Sequence, residues 1–402
     1  MRTISKQQAA RFLLLHHGLI GPYRYTEKDG ALAFIRSVGS IQYDPVDVCG
    51  RNAELVLQAR VKGFRKEMLQ ELLYQDRKLI DFWDKCMAIF PVEDWPYFAR
   101  KRNAPIYNVE SLGPTLDGVR QTIRENGPCC SEDIPNGKTK IRWPWGTAPV
   151  GRAALEALFF QGELIIYKKQ GTRKYYDLAS RHVPKGLLTA NDPNETLEAY
   201  HQWMVARRIG AVGLLWNRAS DAYLEIQGLD ASARTAAIES LCAEGMLIPV
   251  QVEGIRWPFY FHAQELPMLE TACSERRLMP RCELLPPLDN LLWDRRLVEA
   301  IFGFSYHWEI YTPREKRQYG PYVLPILYGE GFVGRVEVVC ARMEKRIEIK
   351  RIWAEPGKRF SHRALEKPSC ALHVFMDMMI LLCKWKFEGD LRLCYCIAIW
   401  KP

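Results

Sequence analysis

Gln42 and Asp44 are the residues of this chain whose types and spacing best suit chemistry. They lie in Ser37-Val38-Gly39-Ser40-Ile41-Gln42-Tyr43-Asp44-Pro45, where Gly39 and Ser40 interrupt an apolar helical pattern and Ile41 to Asp44 read as extended. Side chains two apart on an extended segment share a face, so Gln42 and Asp44 are expected to point together and Tyr43 away. That pairs an amide, which can hold a polar group, with a carboxylate, which can take a proton. The ring of Pro45 disfavours helical angles at the residue before it and so holds Asp44 extended. Taken alone, Gln-Tyr-Asp-Pro is an ordinary strand running into a turn, and only its surroundings single it out.

The elements that must position this pair follow from periodicity. Residues 5–17 and 28–38 carry apolar residues at helical spacing ahead of it. After it, Arg51 to Arg60 and Arg65 to Tyr74 read as helices, and Leu79 to Trp83 with Met87 to Phe90 as two strands joined tightly. Helices followed by a hairpin is the order of a winged helix. Trp95 to Arg102 reads as a short helix leading out, and Asn103 to Ser111 as a linker.

An internal repeat follows, offset by 83 residues: Ala153 to Leu158, Gly162 to Ile165, Gly171 and Arg173 match Ala236 to Leu241, Gly245 to Ile248, Gly254 and Arg256. Each copy is a helix stopped by a glycine, then a strand, a glycine turn and a second strand. Helical sequence upstream of each, Leu116 to Glu125 and Thr196 to Arg208, suffices for a helix-turn-helix core. From about Leu278 the texture changes to alternating strands, among them Trp308 to Tyr311, Tyr322 to Leu327, Val333 to Val338 and Arg346 to Lys350. Leu372 to Trp385 reads as a helix across them and Leu391 to Ile399 as a last strand. The expected fold is α+β: three tandem winged-helix modules over 1–103, 104–185 and 186–275, and a C-terminal antiparallel β-barrel over 276–402.

The two wings of the repeat differ in charge. The first carries Lys168, Lys169, Arg173 and Lys174 with no acid, whereas the second reads Val250 to Arg256 with Glu253 at its turn. A basic tip reaches phosphates, so the first wing is the candidate DNA-contacting surface, with Arg51 as a further phosphate contact. A solvated hairpin tip would carry the same charges. Trp143 and Trp145, beside Arg142, suit either base stacking or the core, and the core is favoured.

Bulk properties permit this reading without deciding it. The 402 residues allow two or three domains, and 48% hydrophobic with 26% charged residues is ordinary for a globular chain. The 56 Lys and Arg against 47 Asp and Glu give a net +9, compatible with a polyanionic partner. The twelve cysteines include the pair Cys129-Cys130 and the element Cys394-Tyr395-Cys396 but no Cys-x-x-Cys, and no secretory segment is read ahead of them. Free thiols in a cytoplasmic protein with no membrane span are expected.

Three motifs are set aside. Gly329-Glu330-Gly331-Phe332-Val333-Gly334 has dinucleotide-binding spacing but precedes an alternating strand, which makes it a hairpin turn. His307-Trp308-Glu309 matches half of a zinc-deaminase signature, with no Pro-Cys-x-x-Cys after it. Cys370, His373 and Cys383 sit in apolar sequence where packing is the usual role. No metal and no cofactor is expected.

Several segments together resemble a known family. Gly39 to Pro45, Asp81-Phe82-Trp83 leading to Phe90-Pro91-Val92-Glu93-Asp94-Trp95-Pro96, Ala154 to Leu158, Leu291 to Arg296 through Phe302-Gly303-Phe304, and Glu309-Ile310-Tyr311 followed by Tyr319-Gly320 and Tyr322 to Pro325 resemble the winged-helix DNA glycosylases of the YcaQ and AlkZ type. These repair alkylated bases and interstrand crosslinks, and the resemblance covers nearly the whole chain. It implies that Gln42 and Asp44 are the catalytic pair, since the crosslink-repair branch carries Gln-x-Asp. One departure is Tyr43, where the family's middle residue is usually aliphatic.

The resemblance implies a DNA glycosylase acting on double-stranded DNA that contains alkylated or crosslinked purines; a monomer is expected, although nothing in the sequence fixes the oligomeric state. A purine alkylated at N7 leaves as a neutral base, so what remains is to orient a water and stabilise the cationic sugar. Asp44 would serve as base and counter-charge, with Gln42 holding the water. No lysine stands out as a Schiff-base nucleophile, so an abasic site is the expected product. A non-catalytic winged-helix regulator needs the same wings but is indifferent to Asp44, and an RNA-binding module would prefer single strands.

Overall fold

The computed structural model describes residues 1–134, 139–144, 146–344, 346–358, 380–383 and 397–399. It mixes helices and strands in two compact units, one of Met1–Leu69 with Glu198–Pro402 and the other of Gln70–Leu197.

The first unit is built around a core in which Phe12, Leu13, Ile209, Leu215, Phe259, Phe261, Leu291, Leu297 and Phe304 are all buried. Its opening helix, Lys6–His16, starts at a capping box in which the Ser5 hydroxyl accepts from Gln8 N and the Gln8 amide accepts from Ser5 N. The preceding strand Arg2–Ile4 pairs in parallel with Leu247–Val252, so the chain's start is stitched into the sheet that holds the second repeat's wing. That wing, Leu247–Val252 against Phe259–His262, follows the helix Ala231–Ala243.

Farther along, a six-stranded sheet runs in chain order from Cys282–Leu284 to Ile397–Ile399. It differs from the expected barrel in two respects. Gly331–Ala341 lies antiparallel to both its neighbours, but Arg346–Ala354 runs parallel to Ile380–Cys383, and no pairing of the first strand with the last closes the sheet among the described residues. Glu309–Tyr311, expected as strand, is a single 3-10 turn. Its reversal is fixed by the Glu309 carboxylate, which draws in three backbone N–H groups. Of the expected helix over 372–385, Ile380–Cys383 is strand; the rest of it, residues 391–396 and the Cys370, His373, Cys394 and Cys396 positions lie outside the described residues. The Gly329-Glu330 turn joins Val323–Tyr328 to Gly331–Ala341, as a hairpin.

The second unit holds the hairpin Leu79–Trp83 with Met87–Pro91, and the first repeat copy: helix Val150–Phe160, then Leu164–Gln170 against Arg173–Leu178. Its core packs Phe82 edge-on to Trp95 and tilted against Phe159, with ring centroids 5.5 and 5.3 Å apart. Trp143 is buried there with its indole N–H on Glu156 at 2.8 Å; Trp145 lies outside the described residues. Both repeat helices end alike. Gly162 and Gly245 take φ of +76° and +73°, their N–H groups reach back to Phe159 O and Cys242 O, and the next N–H in each reaches Leu158 O or Leu241 O. This is the Schellman cap that a left-handed glycine permits.

Candidate active site

The segment carrying Gln42 and Asp44 is held by its carbonyls. The helix Glu27–Val38 stops at Gly39, whose φ of +74° turns the chain out, and Ile41–Gln42 follow as a two-residue strand. Arg207 donates to Gly39 O at 2.9 Å, Asn290 Nδ2 to Ser40 O at 2.9 Å and Asn52 Nδ2 to Gln42 O at 2.8 Å. The Ser40 and Gln42 carbonyls are two residues apart and thus on one edge of an extended chain, each met by a buried amide side chain. Asn52 also accepts from Leu288 N at 3.0 Å, and Asn290 also reaches Ala211 O at 3.3 Å. Between them in sequence, Asp289 receives both guanidinium nitrogens of Arg60 at 2.7 and 2.8 Å, with both side chains fully buried. The loop Leu288 to Asn290 therefore clamps the candidate strand and the Asn52–Gln58 helix behind it.

Regular strand ends at Gln42, shorter than the sequence pattern suggested, so alternation no longer sets the direction of Asp44. What sets it is a local turn: Asp44 Oδ1 accepts from Val46 N at 2.8 Å across Pro45, the bond by which an Asp closes a turn on its own backbone. The carboxylate is half-buried in a narrow crevice walled by Val46, Asn52, Pro287, Leu288, Trp308 and Tyr322. Burial raises its pKa above the ordinary carboxylate value, and the Val46 N–H offsets part of that rise. Tyr322 stays neutral beside it, because burial pushes its phenol well above the usual range and nearby acids, Asp44 among them, add to the shift.

Gln42 is 7% exposed and is not a wall of this crevice; its Oε1 is buried with no hydrogen-bond partner among the described residues. Asn52 is the residue common to both, bonding the Gln42 carbonyl and lining the crevice of Asp44. Tyr43 is half-buried. Arg51 precedes the Asn52–Gln58 helix, with its N–H on Glu54 Oε2 at 2.9 Å and its guanidinium 3.5 Å from Glu54 Oε1.

The four cations of the first wing do not form one surface. Lys168 is exposed with its ammonium 4.7 Å from the Tyr175 ring centroid, and Arg173 is exposed 3.2 Å from Glu132. Lys169 turns inward to a buried ion pair with Asp81, whose other oxygen accepts from the Tyr74 hydroxyl at 3.0 Å. Lys174 is half-buried, and burial lowers its pKa. The strand alternation explains the split: Lys168 and Lys169 are neighbours and must face opposite ways.

The chain's likeness to known proteins bears on this geometry. A family model described as "DNA glycosylase AlkZ-like" matches residues 35–375, which include the whole candidate site. The chain belongs to the AlkZ-like DNA glycosylase family. A solved structure, Streptomyces sahachiroi DNA glycosylase AlkZ, is similar in fold with a TM-score of 0.61 over 96% of this chain and 100% of that one, at 16% identity. As a member of this family the protein is a DNA glycosylase.

For an AlkZ-like glycosylase, the sequence pattern missed the clamp: Asn52, Arg60, Asp289 and Asn290. A signal was present in Asp289-Asn290, two polar residues inside the apolar run Pro286 to Trp293. Polar residues buried in such a run need partners, and here those partners are the candidate strand and its helix. Arg342 was also missed; it lies 2.5 Å from Asp47, three residues after Asp44.

Proposed function

We propose that the protein is a monofunctional glycosylase that hydrolyses the N-glycosidic bond of N7-alkylated purines in duplex DNA, unhooks crosslinks formed through such purines, and leaves an abasic site. The observation that carries this reading is Asp44: a half-buried carboxylate with a raised pKa, oriented by its own Val46 N–H, in a crevice next to the strand of Gln42. A carboxylate made more basic than usual by burial is suited to take a proton from water. Its charge also offsets the cation that builds on the sugar as the base departs. By the family resemblance Gln42 is assigned to hold that water, which requires its Oε1, buried without a partner among the described residues, to turn into a crevice that it does not now line.

On the same reading, Lys168 and Arg173 contact backbone phosphates, Lys169 and Lys174 brace the wing from behind, and Arg51 adds a contact beside the site. The helix-and-hairpin units serve as tandem winged helices over 1–103, 104–185 and 186–275, with the C-terminal sheet of 276–402 as a barrel-like brace. Incubating the protein with duplex DNA bearing N7-methylguanine tests the reaction class. Free base with an uncut, alkali-labile strand is the expected result; strand cleavage without alkali would make the enzyme bifunctional, and no base release would leave the non-catalytic regulator.

A further inference from the structure

Glu309 anchors a loop more firmly than its surroundings require. Its buried carboxylate accepts from the backbone N–H groups of Gln318, Tyr319 and Gly320 at 2.7, 2.9 and 2.8 Å. Burial alone would push its pKa up, and the three N–H bonds outweigh that and hold the carboxyl below its usual range. Arg317 closes the interior of the same loop, its Nε donating to Thr312 O at 2.7 Å. A connection of this length is thus pinned from both ends.

What the pinned loop displays is Tyr311, 81% exposed, edge-on to Trp308 with ring centroids 5.7 Å apart. Trp308 is itself a wall of the Asp44 crevice. Arg314 and Lys316 follow on the same loop, exposed and without an ion-pair partner among the described residues, although Glu315 stands between them. A large aromatic ring left in water beside two cations, on a loop whose backbone is fixed, is the arrangement that stacks on a nucleobase while its neighbours meet phosphates.

We propose that Tyr311 is a substrate-binding residue that stacks on a base of the DNA next to the nucleotide at Asp44, with Arg314 and Lys316 on the adjoining phosphates. The proposal rests on the assignment of Asp44 given above. Glu309 is then a positioning residue, since its three N–H bonds set where the ring stands. The ordering is done before binding, so little side-chain entropy remains to be lost when the base arrives.

The test uses duplex DNA bearing N7-methylguanine, titrated by fluorescence anisotropy in an Asp44→Asn background that leaves the substrate intact. Tyr311→Ala should bind roughly 5- to 150-fold more weakly, the span that base–aromatic stacking supplies, while Tyr311→Phe stays within about 2-fold. Thermal unfolding of Tyr311→Ala should match the parent, because the ring is in solvent. If wild type releases no base yet Tyr311→Ala still weakens binding, the assignment of Asp44 fails and the stacking site stands. If release depends on Asp44 but Tyr311→Ala binds like its parent, the stacking site is overturned.

Discussion

Replacing Asn52 by alanine removes the one side chain that both holds the Gln42 strand and lines the crevice of Asp44. Three bonds go: to Gln42 O at 2.8 Å, to Leu288 O at 3.4 Å and from Leu288 N at 3.0 Å. The 3.4 Å contact is too long to count for much, which leaves two backbone groups orphaned next to a side chain that is 3% exposed. Each buried orphan costs about 1–3 kcal/mol, so the loss of stability should be about 2–4 kcal/mol once partial hydration of the cavity is allowed for. Denaturant unfolding gives that number. Single-turnover base release, measured where the variant is still more than nine-tenths folded, should fall about 10- to 100-fold with DNA affinity unchanged, because the displaced element carries chemistry and not phosphate contacts. A stability loss below about 0.5 kcal/mol, against an expected orphan cost of about 1 kcal/mol or more, would show that the clamp is not a clamp. Normal release from a destabilised variant would show that the clamp does not serve the site.

Three further outcomes follow from the same geometry. Arg60→Met leaves the buried Asp289 carboxylate with the Leu291 N–H but without its guanidinium partner, and should cost about 3–5 kcal/mol in denaturant unfolding; Arg60→Met with Asp289→Asn, which keeps an acceptor for Leu291 N, should recover part of it. The two repeat caps offer an internal comparison. Gly245→Ala meets no atom within 4 Å and should cost only the left-handed strain of about 1–2 kcal/mol, whereas at Gly162 a Cβ would lie 2.3 Å from Arg102 Cδ and the cost should be larger. Asp44 has a folded-state pKa above its unfolded one, so its ionisation weakens the fold as pH rises from the unfolded pKa through the folded one; Asp44→Asn should therefore be more stable than wild type at pH 7 and equally stable below both pKa values. The acid limb of the release rate should correspondingly lie above the usual Asp range.

The repeat was legible because its signals are local. A glycine stop and period-two strands survive in any context, and both copies fold as helix, Schellman cap and hairpin. The wing's charges were legible as a count and not as a surface, since Lys168 and Lys169 alternate and Asp81, 88 residues earlier, claims Lys169. The candidate pair shows the same limit. Period two predicted a shared face for Gln42 and Asp44, but the strand stops at Gln42 and an Asx turn orients Asp44 instead. What holds the strand comes from Asn290, 250 residues away, and no local pattern encodes such a bond. Glu309 was read as strand because Trp308 to Tyr311 alternates; three distant N–H groups override that preference.

The account turns on the carboxylate of Asp44, and single-turnover release of N7-methylguanine from duplex DNA at neutral pH addresses it directly. Asp44→Asn keeps the shape and the Val46 bond but removes the charge and the base, so the rate should fall by about 10²- to 10⁴-fold while the affinity for the same DNA holds. A variant that releases the base within a few-fold of the wild-type rate would place the chemistry elsewhere in the molecule.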